Sequence, residues 1–154
     1  MEESINKNFI VFSLCNIEYA VDISYIKEII KLREIVQVPK SPDFVEGIVQ
    51  LRDEIVAIID LAKRLKIDNT SINLKKRKII IVNLSERILG LQVDSVGEVL
   101  KVSDDQIHPV PQTIATVDIN YLKGVIKIED RVILLMNIDK ILSVDELCEL
   151  AANS

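Results

Sequence analysis

Apolar positions along this chain gather in short runs of strand length, separated by polar turns. Phe9–Leu14 and Ile79–Leu84 are rich in β-branched and apolar residues. Polar turns, Cys15-Asn16 and Ser85-Glu86-Arg87, lead from them into Tyr19–Ile23 and Ile88–Val93. Two further pairs of runs follow the same plan. Val45–Leu51 and Glu54–Ile59 are joined around Arg52-Asp53, and Leu122–Ile128 and Val132–Met136 around Glu129-Asp130. Aspartate suits such turns because its carboxylate bonds nearby backbone. A side-chain oxygen of Asp22 or Ser24 could cap a short helix through about Ile30, and Asp94 or Ser95 could do the same later. Beyond Ser143, the residues Val144, Leu147, Leu150 and Ala151 recur at helical spacing. Ser143 as cap with Glu146 three residues on predicts a closing amphipathic helix over 143–152.

These runs are one pattern written twice. Phe9–Leu32 lies over Ile79–Val102 without a gap, so that Leu14 meets Leu84, Glu28 meets Glu98 and Lys31 meets Lys101. Apolar mostly meets apolar: Val11 with Ile81, Val21 with Leu91, Ile26 with Val96, Ile29 with Val99. At a slightly longer offset Gly47 meets Gly124, Asp53 meets Asp130, Ile55 meets Val132 and Leu65 meets Leu142. Each half also carries a Val-Pro between these blocks, Val38-Pro39 and Val110-Pro111.

Many short strands with tight turns predict a mainly β protein of small, closed or nearly closed barrels. Halves of roughly 70 residues are marginal alone, so they are expected to pack side by side. The expected division is lobe one over 9–65, a polar crossing over 66–78, lobe two over 79–142 and the closing helix.

Composition narrows the function. Hydrophobic residues make up 49 % of 154, enough for a sizeable core. Aromatic residues make up 4 %, Trp is absent and the formal net charge is −5. That combination lacks both the stacking platforms and the positive field of a nucleic-acid binder. Cys15 and Cys148 supply neither a disulfide framework nor metal-ligand spacing, and read as ordinary thiols in a reducing cytosol. Met1 to Asn8 holds two acids and no apolar stretch, unlike a signal peptide. The apolar runs fall far short of the roughly 20 residues of a membrane span. A cytoplasmic protein that meets membranes only through a partner is expected.

Candidate chemistry is thin. His108, the only histidine, sits in Gln106-Ile107-His108-Pro109, near Asp104 and Asp105 but with no nucleophile and no ligand cluster. Four glycines form no phosphate-cradling loop. The basic run Lys75-Lys76-Arg77-Lys78 precedes an apolar strand, where charges guard a sheet edge. Neither a catalytic residue, a metal site nor a cofactor is expected. One asymmetry stands out: Glu28 has the counterpart Glu98, whereas the position matching Arg52 holds Glu129. Only the first half is therefore expected to form a carboxylate–guanidinium bridge there.

The stretch from Phe44 through Gly47, Leu51-Arg52-Asp53 and the apolar strand ending in Asp60-Leu61 strongly resembles the CheW family of bacterial chemotaxis coupling proteins. Phe9–Leu14 followed by Tyr19–Ile23, the Glu of Ile26-Lys27-Glu28-Ile29, Pro109-x-Pro111 and Leu135–Leu142 fit as well, so the resemblance spans about 8–147. It implies two small SH3-like β-barrel lobes with an apolar groove between them. It also implies a non-catalytic adaptor that links the cytoplasmic tips of chemoreceptors (methyl-accepting chemotaxis proteins) to the regulatory domain of the histidine kinase CheA. Carried over residue by residue, Ile26, Glu28, Arg52, Val96 and Val99 are the expected receptor contacts. The loop containing His108, Gln112 and Thr113 is the expected kinase contact. Asp53 stands where the family has Gly after Arg, Gln50 replaces Asn and Ala57 replaces a common Pro. Competing readings are a coupling domain of a different two-component array, a small nucleic-acid-binding barrel, and an acid–base enzyme built on Asp and Glu.

Overall fold

The structure, a computed structural model, describes residues 6–65, 76–84, 87–111 and 121–141. The expected helix over 143–152, most of the crossing over 66–78, and Gln112 and Thr113 lie outside the described residues. Eleven strands are described: β1 (Asn6–Leu14), β2 (Ile17–Asp22), β3 (Ile26–Lys31), β4 (Val45–Leu51), β5 (Glu54–Asp60), β6 (Lys78–Leu84), β7 (Arg87–Val93), β8 (Ser95–Ser103), β9 (Ile107–His108), β10 (Leu122–Ile128) and β11 (Arg131–Met136). A single helical turn, α1 (Leu61–Arg64), follows β5, with the Asp60 side chain accepting from the Lys63 amide at its start.

The strands form two sheets, ordered β8-β1-β2-β11-β10-β9 and β3-β6-β7-β5-β4. This order corrects the expected lobes. Neither sheet is built from one half of the chain. The β1–β2 hairpin of the first half is inserted between β8 and β11, and the β6–β7 hairpin of the second half between β3 and β5. Each inserted hairpin fills a gap with one antiparallel and one parallel ladder, and the two exchanges are equivalent. Leu134 and Leu135 pair with Tyr19 and Ala20, just as Ala57 and Ile58 pair with Leu89 and Gly90. The repeat read along the chain is thus a repeat of ladders too.

Exchange changes the fate of two expected features. The helix from Asp22 or Ser24 through Ile30 shrinks to a 3-10 turn, Ile23–Tyr25, in which Asp22 Oδ1 accepts from the Ser24 amide at 2.9 Å. Ile26 onward is strand instead, because the chain must cross here and its β-branched residues pair with β6. No helix starts at Asp94 or Ser95 either: Asp94 Oδ2 accepts from the Cys15 amide at 2.7 Å and β8 runs on directly. The basic run ahead of β6 guards no edge, since β6 is paired on both sides.

Among the described residues three buried clusters form the core. Phe9, Val11, Ala20, Val102, Ile126, Ile133 and Leu135 pack within the β8-β1-β2-β11-β10-β9 sheet, and Val49, Leu51, Val56, Ile58, Ile79 and Ile81 within the β3-β6-β7-β5-β4 sheet. The third and largest joins both sheets, with Ile10, Phe12 and Leu14 on β1 and Ile80, Val82 and Leu84 on β6 among its members. Phe12 and Tyr19 stack within it at 5.8 Å between ring centroids. The seam expected as an open groove is therefore packed, among the described residues, with buried side chains of both sheets, and its margin is where apolar side chains meet solvent.

Candidate functional site

That margin is formed by the two edge strands β3 and β8. Their registers decide which face each side chain takes. Ile26 stands opposite Val82 and Ile29 opposite Ile80. Val96 stands opposite Phe12 and Val99 opposite Ile10. Cross-strand partners share a face, and all four partners belong to the cluster joining the sheets. Ile26, Ile29, Val96 and Val99 consequently take the face on which that cluster lies. Ile26 and Val96 are half-buried against it. Ile29 and Val99 are 37 % and 53 % exposed, unusual for such side chains on a packed face. Ile29 was not among the expected contacts, although the repeat marks it as the counterpart of Val99.

Both edge strands carry a β-bulge at the same place. On β3 the register shifts between Ile26 and Glu28, and on β8 the residues Gly97 and Glu98 lie between two paired positions that have one residue between them on β1. A bulge adds local twist, breaks the edge as a template for further pairing and re-aims the side chain that follows. The side chains so aimed are Glu28 and Glu98.

Each glutamate meets an arginine from a hairpin of its own lobe. Arg52 Nη2 lies 3.2 Å from Glu28 Oε2, beside a second pair, Lys27 Nζ to Glu54 Oε2, also at 3.2 Å. In the other lobe Arg131 Nη2 lies 2.8 Å from Glu98 Oε1 and 2.8 Å from Glu18 Oε2, while its Nε donates to Glu18 Oε1 at 3.3 Å. The expectation that only the first half could make such a bridge is corrected: the second half makes it with a strand residue, two places beyond Glu129. Hydrogen bonds to Glu18 and Glu98 raise the Arg131 pKa further above its ordinary value. A shallow depression of about 190 Å3 lies at the first bridge, lined by Lys27, Leu51, Arg52, Asp53 and Glu54.

The turns themselves are strained. Arg52 has φ 59° and Glu129 φ 52°, each the first residue of its two-residue hairpin turn. The positive φ thus falls on Arg52, and not on Asp53 where the family has Gly.

His108 ends β9 at the far edge of the first sheet, exposed, opposite Val125 of β10. Its carbonyl is the atom that a Cβ at Gly124 would meet at 2.9 Å. Around the corner a cavity of about 230 Å3 is lined by Lys7, Phe9, Tyr25, Lys123, Leu135 and Ile138 among others. Tyr25 donates to Asp139 Oδ2 at 2.9 Å, which raises the phenol's pKa. At the end of β5 Asp60 is buried, and burial raises its carboxyl above the ordinary 3.8 despite the Lys63 amide bond. None of these places brings a nucleophile, a base and an orienting acid together. Among the described residues no three His, Cys, Asp or Glu side chains cluster as metal ligands, and no helix is long and apolar enough to cross a membrane.

Comparison with known proteins follows the same lines. The CheW-like domain family matches residues 8–146. The chain is 34 % identical over 146 residues to the chemotaxis protein CheW of Klebsiella aerogenes, an alignment covering 94 % of this chain and 87 % of that one. It is 31 % identical over 145 residues to the chemotaxis protein CheW of Treponema pallidum, covering 92 % and 85 %. The crystal structure of the scaffolding protein TtCheW from Thermoanaerobacter tengcongensis superposes with a TM-score of 0.83 at 33 % identity, covering 94 % of this chain and 93 % of that chain.

Proposed function

The chain belongs to the CheW-like domain family, and on that footing we propose that it is a cytoplasmic, non-catalytic adaptor coupling the tips of chemoreceptors to the histidine kinase CheA. The observation that carries this reading is the apolar layer on β3 and β8. Ile26 and Val96 pack against the cluster, and Ile29 and Val99 follow on the same face, exposed to solvent, on two edges that bulges protect from strand pairing. An amphipathic receptor helix laid along this margin buries its apolar stripe against them. Glu28 and Arg52 border the layer and orient the helix by charge. The proposed contact for the kinase regulatory domain is separate: His108, exposed at the end of β9. Holding both partners at once raises their effective concentration for each other, and receptor state biases the kinase through the shared scaffold.

Co-sedimentation with receptor-containing membranes and CheA tests this. The wild type should sediment with receptor membranes and bind CheA at micromolar concentration, and Arg52→Glu should lose the first property and keep the second. Failure of the wild type to bind either component defeats the proposal.

A further inference from the structure

The docking margin is close to two-fold symmetric. Ile26 is matched by Val96, Ile29 by Val99, Glu28 by Glu98, and the bulges coincide. A helix laid across such a surface finds nearly the same apolar contacts in either direction, so those contacts alone cannot choose one. A choice requires a difference in interaction free energy between the two poses.

The structure supplies one difference at equivalent sites. Arg52 and Glu129 each open a hairpin turn with positive φ, where only glycine avoids crowding its Cβ. At these two costly positions the chain carries charges of opposite sign. Both side chains are exposed. Arg52 has a single carboxylate partner, Glu28, and Glu129 forms no ion pair within the described residues. Arg131 does not cancel the contrast, because Glu18 and Glu98 both hold it at 2.8 Å. Around the first turn Lys27, Arg33 and Arg52 stand with Glu28, Asp53 and Glu54; around the second, Lys127 and Arg131 stand with Glu18, Glu98, Glu129 and Asp130. The second pole is the more negative.

We propose that Arg52 and Glu129 set the direction in which a partner helix lies on the β3–β8 margin, its acidic end at the β4–β5 turn and its basic end at the β10–β11 turn. The occupant is an amphipathic helix whose apolar stripe is flanked by opposite charges at its two ends. This rests on the receptor-docking reading above and adds the polarity of the site.

The test uses a soluble cytoplasmic receptor fragment with a nitroxide at the acidic end of its docking helix, and reads paramagnetic broadening of the Ile29 and Val99 methyls. Wild-type protein should lose the Ile29 signal and keep that of Val99. The double variant R52E/E129R should reverse the two. R52G/E129G, which deletes both charges and relieves both turns, should broaden the two methyls alike. If Ile29 alone broadens in every variant that binds, Arg52 and Glu129 do not set direction, and the inference fails while the docking surface stands. Absence of binding by the wild type, or binding that broadens neither methyl, overturns the docking surface and the inference with it.

Discussion

Arg52 Nη2 stands 3.2 Å from Glu28 Oε2 across the gap between the β4–β5 turn and the β3 bulge, yet 76 % of the arginine side chain remains exposed and only 23 % of the glutamate's. Water screens a pair of this kind, and its contribution to stability is ~0–1 kcal/mol. A partner surface is a better use for it. Arg52→Glu should therefore lower the unfolding free energy in urea by less than about 1 kcal/mol. The same change should weaken binding to a receptor fragment at least about tenfold, or ~1.4 kcal/mol. A variant that unfolds early and still binds normally would reverse the assignment.

Arg131 behaves differently because two carboxylates grip it, one of them through two of its nitrogens. It ties β11 to β2 and, past β1, to β8, spanning four strands of one sheet. Arg131→Gln should cost more stability than Arg52→Gln, about 1 kcal/mol against a few tenths, the side chains being more than a third exposed and screened accordingly. Adding salt to about 1 M should narrow the gap between the two variants in urea titrations.

Two glycines allow a strand or bridge to close against each hairpin. A Cβ at Gly47 would sit 2.2 Å from the Val36 carbonyl oxygen and 2.7 Å from Ile35 Cγ2, on a backbone with φ 146°. At Gly124 the nearest atom is the His108 carbonyl oxygen at 2.9 Å. Gly47→Ala should destabilise by about 3 kcal/mol, combining backbone strain with overpacking, and Gly124→Ala by about 1 kcal/mol. Denaturant midpoints check the ranking.

Asp60 makes stability depend on pH. Burial raises its carboxyl, with the Glu46 charge acting in the same direction, against the Lys63 amide bond and the Arg77 and Lys63 charges. A raised acid binds its proton more tightly folded than unfolded, so its contribution is present below the ordinary 3.8 and is lost as pH rises through the folded value. Asp60→Asn keeps an oxygen to accept from the Lys63 amide and has no proton to lose. The stability of the variant relative to the wild type should therefore increase from about pH 3.5 to pH 6, as read by urea midpoints. A flat difference would mean that Asp60 ionises freely in the fold.

Strands were legible wherever β-branched runs ended in turn residues, and the hairpins at Cys15-Asn16, Arg52-Asp53 and Glu129-Asp130 fell where Asn and Asp placed them. Ile26–Lys31 misled because Ile26, Ile29 and Ile30 satisfy a helical spacing as well as a strand, and Asp22 caps a 3-10 turn as readily as a helix. Pairing with β6, distant in sequence, decided between them. Hairpin exchange left no local mark for the same reason: periodicity shows which face is apolar, not which strand lies alongside. Of the residues expected to contact a receptor, Glu28 and Arg52 meet, and Ile26, Val96 and Val99 take the same face as the cluster joining the sheets. Arg131 escaped notice because matching turn positions compared Arg52 with Glu129, while the bond to Glu98 comes from the strand beyond.

Methyl NMR of protein labelled at Ile, Leu and Val, titrated with a soluble chemoreceptor cytoplasmic fragment, measures the docking surface most directly. Ile26, Ile29, Val96 and Val99 should shift together at the lowest fragment concentrations, with the exposed Val36 unmoved. Shifts gathered around Val36 or His108, with Ile29 and Val99 left in place, would contradict a receptor site on β3 and β8.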